Sequence, residues 1–476
     1  MSTDWMAKPH CSSMQRAAIL ALLVLGSVLV SPGVALAWNP FGENFGPPSA
    51  TRDPVDRTFT REWEANPPPG YPTLSPANVA ATKAAIARYR EIAAAGGWPI
   101  LADKVLRTGM SDPEVAVLRQ RLKLTGDLKD EGWSQEGFDY YLEKAVKRYQ
   151  ASNGLAPTGI VDDRTRAALN VPAKARLRQL ELGLQRLQEF TGRTGKGRYV
   201  AVNIPAAQVE AVDGDRVVTR HAGVVGKVDR KTPLLTSRIH ELNFNPVWRL
   251  PPTVVHKDLI PKGRQMQKAG KNVLVKFGID AYDGAGRKLA PESINWASGQ
   301  PNSLSYRQQP GPDNPMGFLK INFHNGHSVY MHDTPSDSIF GRNFRAASSG
   351  CIRVAGIEQL AVWLLADQGG WDGAAVEAVK TSGETKNVSL KKPVTLHFVY
   401  ITAWATEDGV VQFRRDLYNK DGLAGVGGEP VATSRTRPRP VAEPTAAPQT
   451  TGALPPRQAV PAVDGSAAAQ KAADPD

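Results

Sequence analysis

Cysteine is almost absent from this chain: 476 residues contain two, Cys11 and Cys351. Cys11 stands ahead of an apolar run, Ala17 to Val30, with Arg16 before it and Ala35-Leu36-Ala37 after it. That order of charged, apolar and small-x-small segments is the grammar of a secretory signal peptide, so cleavage before Trp38 is expected, with Met14 a tidier start. Because Cys11 precedes the apolar run instead of following it, nothing supports a lipoprotein-type modification. The mature chain then keeps Cys351 alone, which rules out an internal disulfide and a cysteine-paired metal site. Long hydrophobic runs are also lacking. The run of the leader is short for a bilayer, so the membrane is a partner only through that leader, were it left uncleaved. Histidine is scarce as well. The eight residues are scattered, and His324 and His327, which share a strand-like stretch with His332, have no ligand-like partner. No metal and no cofactor are expected.

A formal charge of +12 suits an acidic partner, and export argues against nucleic acid and for a periplasmic wall or headgroup surface. The composition is otherwise that of a globular protein, 41% hydrophobic, and the length calls for two or three domains. Residues 1–37 read as the signal peptide and 38–100 as a Pro/Gly-rich arm followed by a scaffold helix, in which Ile86, Tyr89, Ile92 and Ala93 share one face. Residues 101–171 read as a small helical bundle with Val115, Leu118, Leu122, Leu142, Ala145, Val146 and Tyr149 at core spacing. A connecting helix occupies 172–198. A mainly β domain spans 199–420, interrupted at about 251–305 by an irregular insertion with a short helix at Val255 to Gln265 and a strand near Val273 to Asp280. A final hairpin is expected from Val394 to Thr402 and Val410 to Leu417. Residues 421–476 are rich in Pro and Ala and read as a disordered tail. The fold class is therefore α+β multidomain.

The chemistry gathers between Tyr330 and Val354. Cys351 lies in Ser348-Ser349-Gly350-Cys351-Ile352-Arg353-Val354, and His332 lies nineteen positions upstream at the end of a strand-like stretch from His327 to Met331. A cysteine attacks carbonyls as its thiolate, and an imidazole can take the proton. Ser349, Gly350 and Cys351 offer consecutive backbone N–H groups for an oxyanion, with a glycine that permits unusual dihedrals. The plainer account is that Cys351 is a small buried hydrophobe and His332 an unrelated histidine.

The run HDTPSDSIFGRNFRAASSGCIRV resembles the signature of the L,D-transpeptidases of bacterial cell walls, the YkuD family. Its Ser-Ser-Gly-Cys form, with Ser349 where many members carry His, resembles the large Gram-negative branch typified by YcbB. Two more stretches look like family elements: Gly226-Lys227 to Thr232-Pro233, and Asn245-Pro246-Val247-Trp248. Both read first as turns. The bundle resembles a peptidoglycan-binding domain through Leu118 to Leu122, Ala145 to Gln150 and Gly159 to Leu169.

The resemblance implies a YkuD-like β-sandwich or barrel with a lid-like insertion. It implies an acyl transfer in which Cys351 is the nucleophile and His332 the base, releasing D-alanine from a tetrapeptide stem and passing the acyl group to the diamino acid amine of another stem. Arg353 is placed to hold a stem carboxylate, with a structural ion pair as its alternative, and Tyr330 lines the same cleft, with core packing as its alternative. Peptidoglycan stems are the expected partners, together with other wall-synthesis enzymes, in cell wall biogenesis and shape. Two other readings remain at this level: a Cys/His wall peptidase that hands the acyl group to water, and a non-catalytic wall-binding protein.

Overall fold

The computed structural model describes residues 72–128, 135–192, 194 and 197–423. The expected leader, the arm up to residue 71 and the tail from 424 lie outside the described residues.

Three helices build the bundle: Pro113–Thr125, Tyr140–Ser152 and Asp163–Leu169. Each begins at an aspartate, Asp112, Asp139 or Asp162, whose carboxylate accepts a backbone N–H of the first turn. Their apolar stripes, Val115, Leu118 and Leu122 on the first and Leu142, Ala145, Val146 and Tyr149 on the second, meet in one core closed by Leu106 and Val161. The scaffold helix Ala77–Ala94 lies along the helix Ala173–Thr191, with Ile86, Tyr89 and Leu180 in a shared cluster.

The β domain is a sheet that closes on itself. Its strands are β1 (Arg198–Asn203), β2 (Gln208–Asp213), β3 (Arg216–Gly226), β4 (Leu235–Phe244), β9 (Leu319–Phe323), β10 (Met331–His332), β11 (Ala346–Ser348), β12 (Ile352–Val354) and β13 (Lys386–Val399). They run in the order β11-β3-β12-β10-β9-β4-β13-β1-β2, and the pairing of β2 with β3 completes a barrel. Alternation puts Val200, Val202, Leu242, Ile321, Met331, Ile352, Leu396 and Phe398 in its core, beneath the helix Ile357–Leu365.

The insertion has its own small sheet, β5 (Trp248–Arg249), β8 (Ser305–Gln308), β6 (Ile279–Tyr282) and β7 (Lys288–Leu289), and its own core around Leu259, Phe277, Trp296 and Tyr306. A wide π-type turn, Val255–Leu259, leads into the helix Ile260–Lys268.

Three sequence expectations change. Val273–Phe277 is a helical turn, because the Asn272 side chain caps the amides of Leu274 and Val275 and Gly278 ends it in the left-handed region; the strand starts only at Ile279. The strand before His332 is shorter than expected. Ser328 has a φ of 54°, the Asn325 side chain caps the loop by accepting from His327 and Val329, and the ladder contains only Met331 and His332. The segment from Val394 belongs to the long barrel strand β13, and the last hairpin is the small pair β14 (Ala403–Ala405) and β15 (Val411–Phe413).

Candidate active site

β10 lies between β12 and β9, so His332 pairs with Arg353 in parallel register and with Lys320 in antiparallel register. Met331 and Ile352 point into the barrel core. The residues on either side of them, Tyr330, His332, Cys351 and Arg353, therefore share the opposite face. Ring centroids 5.7 Å apart for Tyr330 and His332 fit that arrangement. Tyr330 packs against both the barrel core and the core of the insertion, so the insertion borders this face.

The loop carrying Cys351 is held from below. Gly350 has a φ of 119°, a region an L side chain avoids. Its carbonyl accepts from Thr232 Oγ1 at 2.9 Å, and Thr232 Oγ1 in turn accepts from Gly226 N at 2.9 Å. A Cβ on Gly226 would sit 2.1 Å from the Arg230 carbonyl oxygen, so the turn from Gly226 to Thr232 depends on that glycine. Ser348 Oγ donates to the Cys351 carbonyl at 2.6 Å and accepts from Gly350 N at 3.1 Å. Of the three amides expected to face an oxyanion, Gly350 N–H is thus committed to Ser348. Ser349 is exposed, and its hydroxyl accepts from Arg230 Nη1 at 2.8 Å.

Cys351 is partly exposed at the floor of this face. Burial pushes its thiol up to about 11, against the opposing pull of hydrogen bonding from Tyr330 and of the charges on Lys320 and Arg353. His332 is almost fully buried. Burial, and then the Arg353 guanidinium, bring its pKa down to about 3, while the carbonyls of Asp333 and Pro315 act the other way. The resting pair at neutral pH is therefore a protonated thiol and a neutral imidazole. His332 Nδ1 lies 2.6 Å from the Asp333 carbonyl oxygen. A carbonyl partner assigns the proton to Nδ1 and leaves Nε2 as the lone pair available to accept. The Asp333 side chain turns elsewhere and accepts from Phe318 N at 3.0 Å, its carboxyl raised to about 6 by burial.

Tyr330 is the side chain that bears on the thiol, its hydroxyl working against the rise that burial causes. Trp248 Nε1 donates to the Tyr330 hydroxyl at 3.1 Å, which leaves the hydroxyl's own hydrogen available to donate. Arg353 makes no ion pair among the described residues, and its buried Nε has no hydrogen-bond partner there. Three neighbours were not singled out from the sequence as site residues: Trp248 and Thr232, read as parts of turns, and Lys320. Lys320 Nζ lies 4.7 Å from the centre of the Tyr330 ring and carries no signal beyond strand alternation. Among the described residues no group of three possible metal ligands occurs, and no helix is long and apolar enough to cross a membrane.

Comparison with known proteins follows the two regions. Residues 197–394 match the family model of the L,D-transpeptidase catalytic domain, YkuD, and residues 111–169 match that of the "Putative peptidoglycan binding domain". A curated relative from Haemophilus influenzae, described as "Putative L,D-transpeptidase", is 32% identical over 224 residues, which cover 47% of this chain and 44% of the relative. The match thus spans less than half of the relative's length. Two solved L,D-transpeptidases are also similar. One, from Xylanimonas cellulosilytica, is 15% identical over 62% of this chain and 98% of its own, with a TM-score of 0.21. The other, from Stackebrandtia nassauensis, is 13% identical over 63% and 96%, with a TM-score of 0.25. The chain therefore resembles the YkuD L,D-transpeptidases across its β domain and peptidoglycan-binding domains across its bundle.

Proposed function

We propose that this protein is a cysteine L,D-transpeptidase of the periplasm that cross-links peptidoglycan stems. The observation that carries the proposal is the register of β10 and β12, which gives one face to Tyr330, His332, Cys351 and Arg353. In the first step the thiol proton passes to His332 Nε2 as sulfur attacks the carbonyl of a donor tetrapeptide at the L-centre of its diamino acid. Because burial disfavours both ions, this transfer is uphill in the free protein and proceeds together with attack. The Cys351 N–H and the Tyr330 hydroxyl are the donors placed for the oxyanion. His332 then protonates the departing D-alanine amine. In the second step an acceptor stem amine forms the amide bond as the C–S bond breaks, and its proton returns to sulfur through His332. The unpartnered Arg353 supports a role in holding a stem carboxylate through paired hydrogen bonds. The leader and the bundle support export and retention at the wall.

Incubating the full chain with tetrapeptide stems and resolving products by mass spectrometry tests this reading. Cross-linked dimers are expected, and Cys351→Ala abolishes them. Tripeptide without dimer assigns the acyl group to water instead, and unchanged stems with sedimentation on sacculi assign a binding role alone.

A further inference from the structure

Three neighbouring strands set a cation, a phenol and the sulfur side by side. Met331 pairs with Ile352 in parallel register, and Ile352 N donates to the Tyr330 carbonyl at 3.0 Å, so Tyr330 stands opposite Cys351. On the other side His332 pairs with Lys320 in antiparallel register. Lys320 alternates with Leu319 and Ile321 of the barrel core, so it points to the outward face and is the diagonal neighbour of Tyr330 there, a spacing that a long side chain crosses. Tyr330 therefore lies between Lys320 and Cys351.

The half-buried Lys320 does cross it: its Nζ lies over the Tyr330 ring, 4.7 Å from the centre. Glu241, the carboxylate that bears on Lys320, is engaged elsewhere, accepting from Asn322 Nδ2 at 3.1 Å and from Asn243 Nδ2. Burial lowers the pKa of Lys320 while the thiol opposes that fall, and the lysine charge in turn draws the thiol down against its own burial. Cation and sulfur thus act on each other with the tyrosine between them. The Tyr330 hydroxyl is loaded from two directions. Trp248 Nε1 donates to its oxygen at 3.1 Å, and the ammonium stands over its ring. Each draws electron density from the phenol, so its O–H becomes a stronger donor, while burial keeps it protonated.

We propose that Lys320 is a positioning residue for acylation: its ammonium, held over the Tyr330 ring, strengthens the hydrogen bond that the Tyr330 hydroxyl gives to negative charge as it develops at the sulfur and at the attacked carbonyl oxygen. Lys320 acts through the tyrosine and takes no proton itself. This rests on the acyl-transfer reading above and adds to it a charge that the strand register, and no local motif, brings to the site.

Iodoacetamide, which has no charge for a lysine to bind, reads the sulfur in the free full chain. At pH 8 Lys320→Met, which keeps the length of the side chain, is expected to slow alkylation of Cys351 about fivefold, the worth of a partly buried cation–π contact, and Lys320→Arg to restore most of the rate. Single-turnover acylation by a tetrapeptide stem, followed by intact mass, should lose the same factor in its maximal rate, with the half-saturating stem concentration unchanged. In a Tyr330→Phe background, Lys320→Met should slow neither reaction further. A higher half-saturating concentration with alkylation unaltered would make Lys320 a stem contact and overturn the proposal. Rates equal to wild type in both reactions would leave Lys320 to packing, and equal losses with and without the hydroxyl would put its charge on the sulfur directly; either result overturns it too. If no stem acylates the wild-type thiol, the acyl-transfer reading fails, and the alkylation rates by themselves decide whether Lys320 acts through Tyr330.

Discussion

His332 and Arg353 face each other across the parallel strands β10 and β12, and the guanidinium is, after burial, the strongest influence holding the imidazole neutral. The base of the proposed reaction is thus kept in its proton-accepting form by the residue proposed to bind substrate.

The pH profile follows with a definite sign. A base with a pKa near 3 is lost only as pH falls toward that value, and a thiol near 11 ionises only in strong alkali. The rate of Cys351 acylation, as kcat/KM, is expected to be flat from about pH 5 to about pH 9, without the limb near 6.5 of an exposed histidine. Iodoacetamide should likewise react slowly with the free protein through neutral pH and faster in alkali. Rapid alkylation near pH 5 would show a standing thiolate–imidazolium pair instead.

Arg353→Gln separates two roles in one variant. Losing the paired hydrogen bonds to a stem carboxylate should lower kcat/KM by about 10²-fold, mostly through KM. Removing the charge beside His332 should also raise the imidazole pKa toward its usual range, so the acid limb of the profile moves to higher pH. An arginine that served only packing would leave that limb where it was.

Tyr330→Phe removes the hydroxyl that bears on the thiol while leaving the ring between the two cores. Acylation should slow by about 10²-fold, the scale of a lost oxyanion donor, with the donor KM little changed. Stopped-flow measurement of D-alanine release reads both quantities.

Parts of this site were legible before any coordinates, and others were not, for a reason that lies in the sheet. Cys351 and His332 stand out because a lone thiol, a Gly before it and an upstream histidine form a local pattern. A mainly β domain from residue 199 was legible as a class, and the bundle from three- and four-residue spacing. Lys320 was not legible, because its place beside the thiol depends on the register of β9 against β10, which no short motif encodes. Thr232 and Trp248 looked like turn residues because their hydrogen bonds run to segments about a hundred positions away. The helical turn at Val273–Phe277 was hidden by its β-branched and aromatic residues, whose preference was overridden by the Asn272 cap and the Gly278 stop.

Gly226→Ala is expected to act on the catalytic loop from a distance. The new Cβ would meet the Arg230 carbonyl, a backbone atom that cannot swing aside, so the turn must shift and carry Thr232 away from the Gly350 carbonyl. Acylation should fall more than in Thr232→Val, which removes only the hydroxyl and costs about 1–2 kcal/mol. Thermal melting of both variants alongside acylation rates orders the two effects.

The insertion is tied to the catalytic loop through Arg230. Its guanidinium grips Asp258, in the wide turn of the insertion, at 2.7 and 3.0 Å, and it also donates to Ser349 Oγ beside Cys351. The pair is buried, with side-chain exposures of 9% and 11%, so it is not a surface bridge of negligible worth. Removing one partner weakens the hold on the other: Asp258→Ala should destabilise by about 3 kcal/mol, because the guanidinium loses its nearest, buried counter-charge and keeps the more distant and exposed Asp229 at 3.9 Å. Replacing both, Arg230→Met with Asp258→Leu, should recover most of that stability, since apolar groups of similar volume need no partner. The double variant nevertheless loses the bond to Ser349 and the charged link between insertion and loop. Limited proteolysis between residues 251 and 305 should therefore quicken in the double variant although its melting temperature returns toward wild type. Recovery of stability with unchanged proteolysis would show that packing alone holds the insertion down, and that the arginine serves only its own desolvated pair.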